Sequence, residues 1–154
     1  MLSDPKHEER LGRLEQQLRR AQAITPKLMS DVMVEACVRF LAQSPSAKAM
    51  VSRLIESGAW TDATLALIEL ELPQWKVRRL IHEDGEWLCT LSKQPQLPLG
   101  LDEVTEATHE VLPLAILTTL LQARCATVAN ATSSTAVPVV RPVAGEAMCC
   151  DNFA

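Results

Sequence analysis

The chain has 154 residues, 47% of them hydrophobic, which suffices for one packed domain and argues against wholesale disorder. Aromatics make up only 3% (three Trp, two Phe, no Tyr), which disfavours an aromatic-lined cofactor pocket or a base-stacking surface. The net charge of −4, with no strongly basic region, makes phosphate neutralisation a poor basis for function, so nucleic acid is an unlikely partner.

The opening "MLSDPKHEER" is polar and lacks the apolar core of a secretory signal. Five cysteines (Cys37, Cys89, Cys125, Cys149, Cys150) show no metal-site spacing. Together these predict reduced thiols in a cytoplasmic protein. The longest apolar run, "VLPLAILTTLL", is about half a membrane span and contains Pro113, so no membrane association is expected.

Residues 3–23 read as a charged helix, capped by Ser3 or Asp4 with Pro5 at its first position. Leu11, Leu14, Leu18 and Ala21 follow the 3-4-3 spacing of a coiled-coil seam. Gly12 weakens this helix by up to ~1 kcal/mol relative to Ala. The seam spans barely two heptads, and two readings stay open. Either the helix packs on its own domain, or it binds a protein partner or a second copy through those four residues.

"TPKLMSDVMVEACVRFLAQ" is a second helix, with Thr25 as cap and Pro26 at the first position. Its apolar surface makes it a core element and Cys37 an inert buried thiol. Ser44 and Pro45 start a third helix, and Gly58 fits just past its end. "WTDATLALIELELP" predicts a fourth, capped by Thr61 or Asp62 and running to about Leu70.

The period then changes to two. "WKVRRLI" and "EWLCTLS" flank "HEDG", and Asp84-Gly85 marks a two-residue hairpin turn. In that register Glu83 opposes Glu86, His82 opposes Trp87, Ile81 opposes Leu88 and Leu80 opposes Cys89. His82, Trp87, Leu80, Cys89, Arg78 and Leu91 then share one face. Ile81, Leu88, Val77, Thr90 and Arg79 share the other. His82 and Cys89 end up about 7 Å apart along the strands. Glu83 and Glu86 point to the opposite face, so the cluster has no convergent zinc geometry. Lys76, Arg78 and Arg79 read as edge-strand charges that discourage aggregation.

"KQPQLPLG" is a loop. "LDEVTEATHEVLPLAILTTLLQAR" predicts a helix from Asp102 to about His109, broken by Pro113, and a second, buried helix from about Leu112 to Arg124. On a helix, Glu106 and His109 would have the i,i+3 spacing of carboxylate–histidine metal sites, with Glu35 and Glu69 as possible further ligands. Residues 125–154, rich in Ala, Thr, Val and Pro, read as a disordered tail. Cys149 and Cys150 are a vicinal pair there, too strained to bridge each other readily; they read as a chance feature of the tail, with a soft metal or an oxidant as the chemical alternative.

"WTDATLALIELELPQWKVRRLIHEDGEWLCTLSKQ", with "HEVLPLAILTTLLQAR", resembles a group of small uncharacterised proteins from nitrogen-fixing soil bacteria and their relatives. The resemblance covers residues 44–124. It implies a bacterial cytoplasmic origin and no established activity, and it transfers no functional residues.

The sequence therefore predicts an α+β class: a mostly helical single domain with one β-hairpin at about 75–92. An N-terminal amphipathic helix (1–24) precedes the core (25–124), and the tail (125–154) follows. The expected function is a small non-enzymatic interaction or regulatory protein, with no catalytic residue, cofactor or metal ligand assigned. The alternatives are a winged-helix DNA-binding regulator, whose groove helix would be "TDATLALIELEL", and a small metal-dependent enzyme.

Overall fold

A computed structural model describes residues 4–133. Three of its helices start where a polar cap precedes a proline. Helix α1 (Pro5–Arg20) is capped by Asp4, whose side chain accepts from Lys6 N. Helix α2 (Pro26–Ala36) is capped by Thr25, which accepts from Leu28 N. Helix α4 (Pro45–Glu56) is capped by Ser44, which accepts from Ala47 N. In each, proline gives up an amide hydrogen that the first turn could not have bonded internally.

The second predicted helix is interrupted. Cys37 leaves helical geometry (φ −109°, ψ 56°), and a short α3 (Val38–Leu41) follows. Periodicity along the sequence does not register this break, because the group that caps the next turn lies 31 residues beyond Phe40. Glu71 Oε2 accepts from Phe40 N at 2.7 Å and so caps α3 from a different helix.

Helix α4 ends in a Schellman motif. Gly58 has φ +74°, Gly58 N donates to Ile55 O and Ala59 N donates to Leu54 O. This tight stop lets α5 (Trp60–Glu71) begin at Trp60 without a side-chain cap, two or three residues before the start that a Thr61 or Asp62 cap predicts.

Strand β1 (Lys76–Glu83) and strand β2 (Glu86–Ser92) pair antiparallel in the expected register near the turn. Asp84 (φ 52°) and Gly85 (φ 84°) both take the positive φ that a type I′ turn requires. Beyond Arg79 the register shifts. A β-bulge lies between Val77 and Arg79, so Val77 opposes Leu91, and the expected face assignment fails at Val77 and Arg78.

The larger correction concerns residues 102–109. They do not form a helix. After a 3-10 turn (Leu99–Leu101), β3 (Val104–His109) adds a third antiparallel strand, giving the order β1-β2-β3. Val104, Thr105 and Thr108 are β-branched and suit a pleated surface. The acids before them resemble a helix N-terminus in sequence, but Asp102 serves the loop instead.

Helix α6 (Leu112–Ser133) starts at the predicted residue but runs nine residues past Arg124, so 125–133 of the expected tail is helical. Residues 134–154, including Cys149 and Cys150, lie outside the described residues. Pro113 sits in the first turn of α6, where it fits without a kink. By length and composition Leu112–Ala131 could cross a membrane, but Leu114 to Leu121 are all buried within the chain's own core.

One core unites the elements. Helix α6 packs on the face of the sheet formed by β2 and β3, and α1 and α5 pack on α6. Leu11, Leu14, Leu18, Met29, Val51, Leu67, Trp75, Leu91 and Leu117 belong to the same buried cluster. Trp75 donates through Nε1 to Thr127 Oγ1 (3.3 Å), tying the start of the sheet to the lower part of α6.

Candidate interaction groove

The leucine seam of α1 faces inward. Leu11, Leu14 and Leu18 are buried against α2 and α6, and Ala21 is partly buried beside them. Arg10 Nε lies 3.5 Å from Glu35 Oε2 and adds a polar tie to α2. The outer face of α1 carries the Arg13–Glu9 pair and an Arg19–Glu15 pair at 2.7 Å.

A groove of about 680 Å³ runs between α1 and α6. Its apolar lining includes Leu11 and Leu121, with the exposed thiol of Cys125 beside them. Gly12 also lines it, and a Cβ built there meets nothing within 4 Å, so this glycine contributes open space. Asp4, Glu8 and Glu15 supply three carboxylates to the lining, against Arg10 (already paired with Glu35) and His7. The groove is therefore apolar within and mostly acidic around. Burial pushes the Cys125 thiol up, and the Glu15 and Glu8 carboxylates add to the effect against Arg124. Glu8, Gly12 and Glu15 lie on one helical face, as do Leu121, Cys125 and Val128, but nothing in the spacing of either segment brings the two faces together.

The remaining chemical candidates are either dispersed or engaged in holding the fold. His82 and Trp87 rings lie 4.8 Å apart, and Trp87 also opposes His109 on β3. His109 is buried, and its Nδ1 accepts from Val111 N (2.9 Å) at the entry to α6. Because residues 104–109 are a strand, Glu106 is exposed while His109 faces the core, and the expected i,i+3 pairing is lost. Among the described residues no group of three or more His, Cys, Asp or Glu could hold a metal ion.

Cys37 and Cys89 are fully buried. Burial, reinforced by the Glu71 carboxylate and opposed by Arg124, pushes the Cys37 thiol to about 12. Burial also raises Cys89, against a hydrogen bond with Thr119. Neither has the lowered pKa of a thiolate nucleophile.

Asp102 holds the β2–β3 connection. Its side chain has no exposed surface and accepts from Arg78 Nη1 (2.7 Å), Ser92 Oγ and Gln94 N (2.9 Å). Arg78, displaced by the bulge, also donates to Leu97 O (3.0 Å). Burial alone would raise the Asp102 carboxyl, but the bonds from Ser92, Gln94 and Arg78 outweigh it and hold it below the ordinary range. A carboxyl depressed in the fold stabilises the protein above its unfolded-state pKa, and this contribution is lost as pH falls below about 4. Asp102→Asn should lower the urea midpoint at neutral pH and flatten its decline on acidification. An unchanged midpoint and acid profile would contradict the clamp.

The groove-helix role on DNA would fall to α5. Its exposed residues are Asp62 and Glu69, which repel phosphate, while Ala63, Thr64, Leu67, Ile68 and Glu71 are buried. No protein-family model, curated protein or solved structure matches the chain, so no family is assigned.

Proposed function

We propose that the chain is a small, non-enzymatic interaction or regulatory protein of the cytoplasm, and that it binds a protein partner through the groove between α1 and α6. The observation that carries this reading is the groove itself. It pairs an apolar interior with carboxylates at Asp4, Glu8 and Glu15, and Gly12 leaves room along its length. Such a surface suits an amphipathic segment with apolar anchors and a basic flank. Since Leu11, Leu14 and Leu18 are committed to the chain's own core, the reading places contact on the neighbouring face of α1 rather than on the seam.

Gly12→Trp provides the test. The open space at Gly12 lets the indole fill the groove while leaving the core untouched, and loss of a helical glycine does not weaken α1. A protein recovered from cells with the full chain, then purified, should bind the G12W variant at least ten-fold more weakly. Equal affinity for the two would place the partner elsewhere and remove the groove from the account.

A further inference from the structure

We propose that the open edge of β1 pairs antiparallel with β1 of a second copy of the chain, with Ile81 on the two-fold axis, and joins the two sheets into one. The inference is independent of the groove between α1 and α6. It assigns a second surface and a partner of a different kind.

Strand β1 is the outer strand in the order β1-β2-β3, so its far edge pairs with no strand among the described residues. Asp84 and Gly85 make Glu83 and Glu86 the closing hydrogen-bonded pair of the hairpin. Hydrogen-bonded pairs then recur at every second residue, at Ile81–Leu88 and Arg79–Thr90. Leu80 and His82 therefore turn their amides and carbonyls to the open edge. The other end of β1 is closed to such pairing. The bulge lies between Val77 and Arg79, and Arg78 is held by Asp102 and by Leu97 O. The regular open edge is residues 79–83, "RLIHE".

A two-fold axis at Ile81 satisfies this edge in backbone, side chain and charge. Leu80 of one copy meets His82 of the other, and both present their peptide groups outward, so the two exchange amide–carbonyl bonds on each side of the axis. Ile81 is an apolar side chain left 41% exposed. It meets its own equivalent in a non-hydrogen-bonded pair, the closer kind, with about 4.5 Å between Cα atoms. Arg79 of each copy opposes Glu83 of the other. Among the described residues neither forms an ion pair within its own chain. Glu83 also faces Glu86 across the hairpin, a repulsion that a cation on its other side offsets. The adjacent registers lack this match. An axis at Leu80 sets Arg79 against Ile81 and runs into the bulge, and an axis at His82 sets Ile81 against Glu83. The charges that deter indiscriminate strand addition thus select one partner and one register.

The test follows the light-scattering mass of the full chain from micromolar to millimolar concentration, together with hydrogen exchange along β1. The mass should rise from one chain towards two. The amides of Leu80 and His82 should gain protection with concentration, while that of Ile81, bonded to β2 throughout, stays unchanged. R79E and E83R, each verified by circular dichroism, should each weaken self-association by about ten-fold or more, because each sets like charges opposite one another on both sides of the axis. An equimolar mixture of R79E and E83R restores opposite charges at both positions and should dimerise as the wild type does. A monomer mass across the whole range overturns the proposal. So does a dimer that R79E and E83R leave unchanged, or one in which Leu80 and His82 gain no protection. If both variants are monomeric and their mixture stays monomeric, the register is wrong and the proposal falls with it.

Discussion

Leu18→Ala should destabilise the protein by about 2–5 kcal/mol, the range for truncating a fully buried leucine whose neighbours close the cavity only partly. Leu18 has no exposed surface, and it belongs to the one core that also contains α6 and the sheet. The loss should appear as a lower urea midpoint in a single transition. It should also be the same at high and low protein concentration, because the contacts removed lie within one chain. A midpoint shift that depends on concentration would instead mark α1 as an element paired with a second copy.

Glu71→Ala ranks next. Glu71 Oε2 takes the Phe40 amide at 2.7 Å, at the break between α2 and α3. Removing a hydrogen bond to a charged group while leaving its buried partner unpaired costs about 1.5–3 kcal/mol. Arg124 Nη1 lies 3.6 Å from Glu71 Oε1; Arg124 is partly exposed and can turn to water once the carboxylate is removed. Glu71→Gln keeps an acceptor for Phe40 N and should lose less than the alanine variant. Urea denaturation of both variants checks the order. If glutamine costs as much as alanine, the carboxylate matters through charge and the capping account is wrong.

These two residues show where the sequence was readable. Local chemistry announced itself: Asp4, Thr25 and Ser44 each sit before a proline, and each caps a helix. Asp84-Gly85 set the hairpin register through its backbone requirement. What depended on distant partners did not announce itself. The break at Cys37 is held by Glu71, and the bulge at Arg78 goes with a salt bridge to Asp102. The strand at 104–109 was hidden because Asp102 and Glu103 look like a helix N-terminus. In the fold Asp102 binds Arg78, Ser92 and Gln94, and Glu103 binds Lys93.

The candidate site was legible only in part. The seam of α1 stood out as a stripe of leucines, and its burial follows from the same apolar character that made it visible. The groove beside it is made by two helices from opposite ends of the described residues, and by an absent side chain at Gly12. Spacing along one segment carries no information about such a pairing.

Native-state hydrogen exchange of α1, at a concentration where light scattering gives the monomer mass, tests the central claim most directly. The claim is that α1 closes the core of its own chain and so builds the groove. It predicts that the amides of Leu14 to Leu18 exchange only in the same global opening as those of Leu114 to Leu121 in α6. Fast exchange of α1 in the monomer, with α6 still protected, would mean that α1 leaves the core freely, and the groove would then not exist as a standing surface.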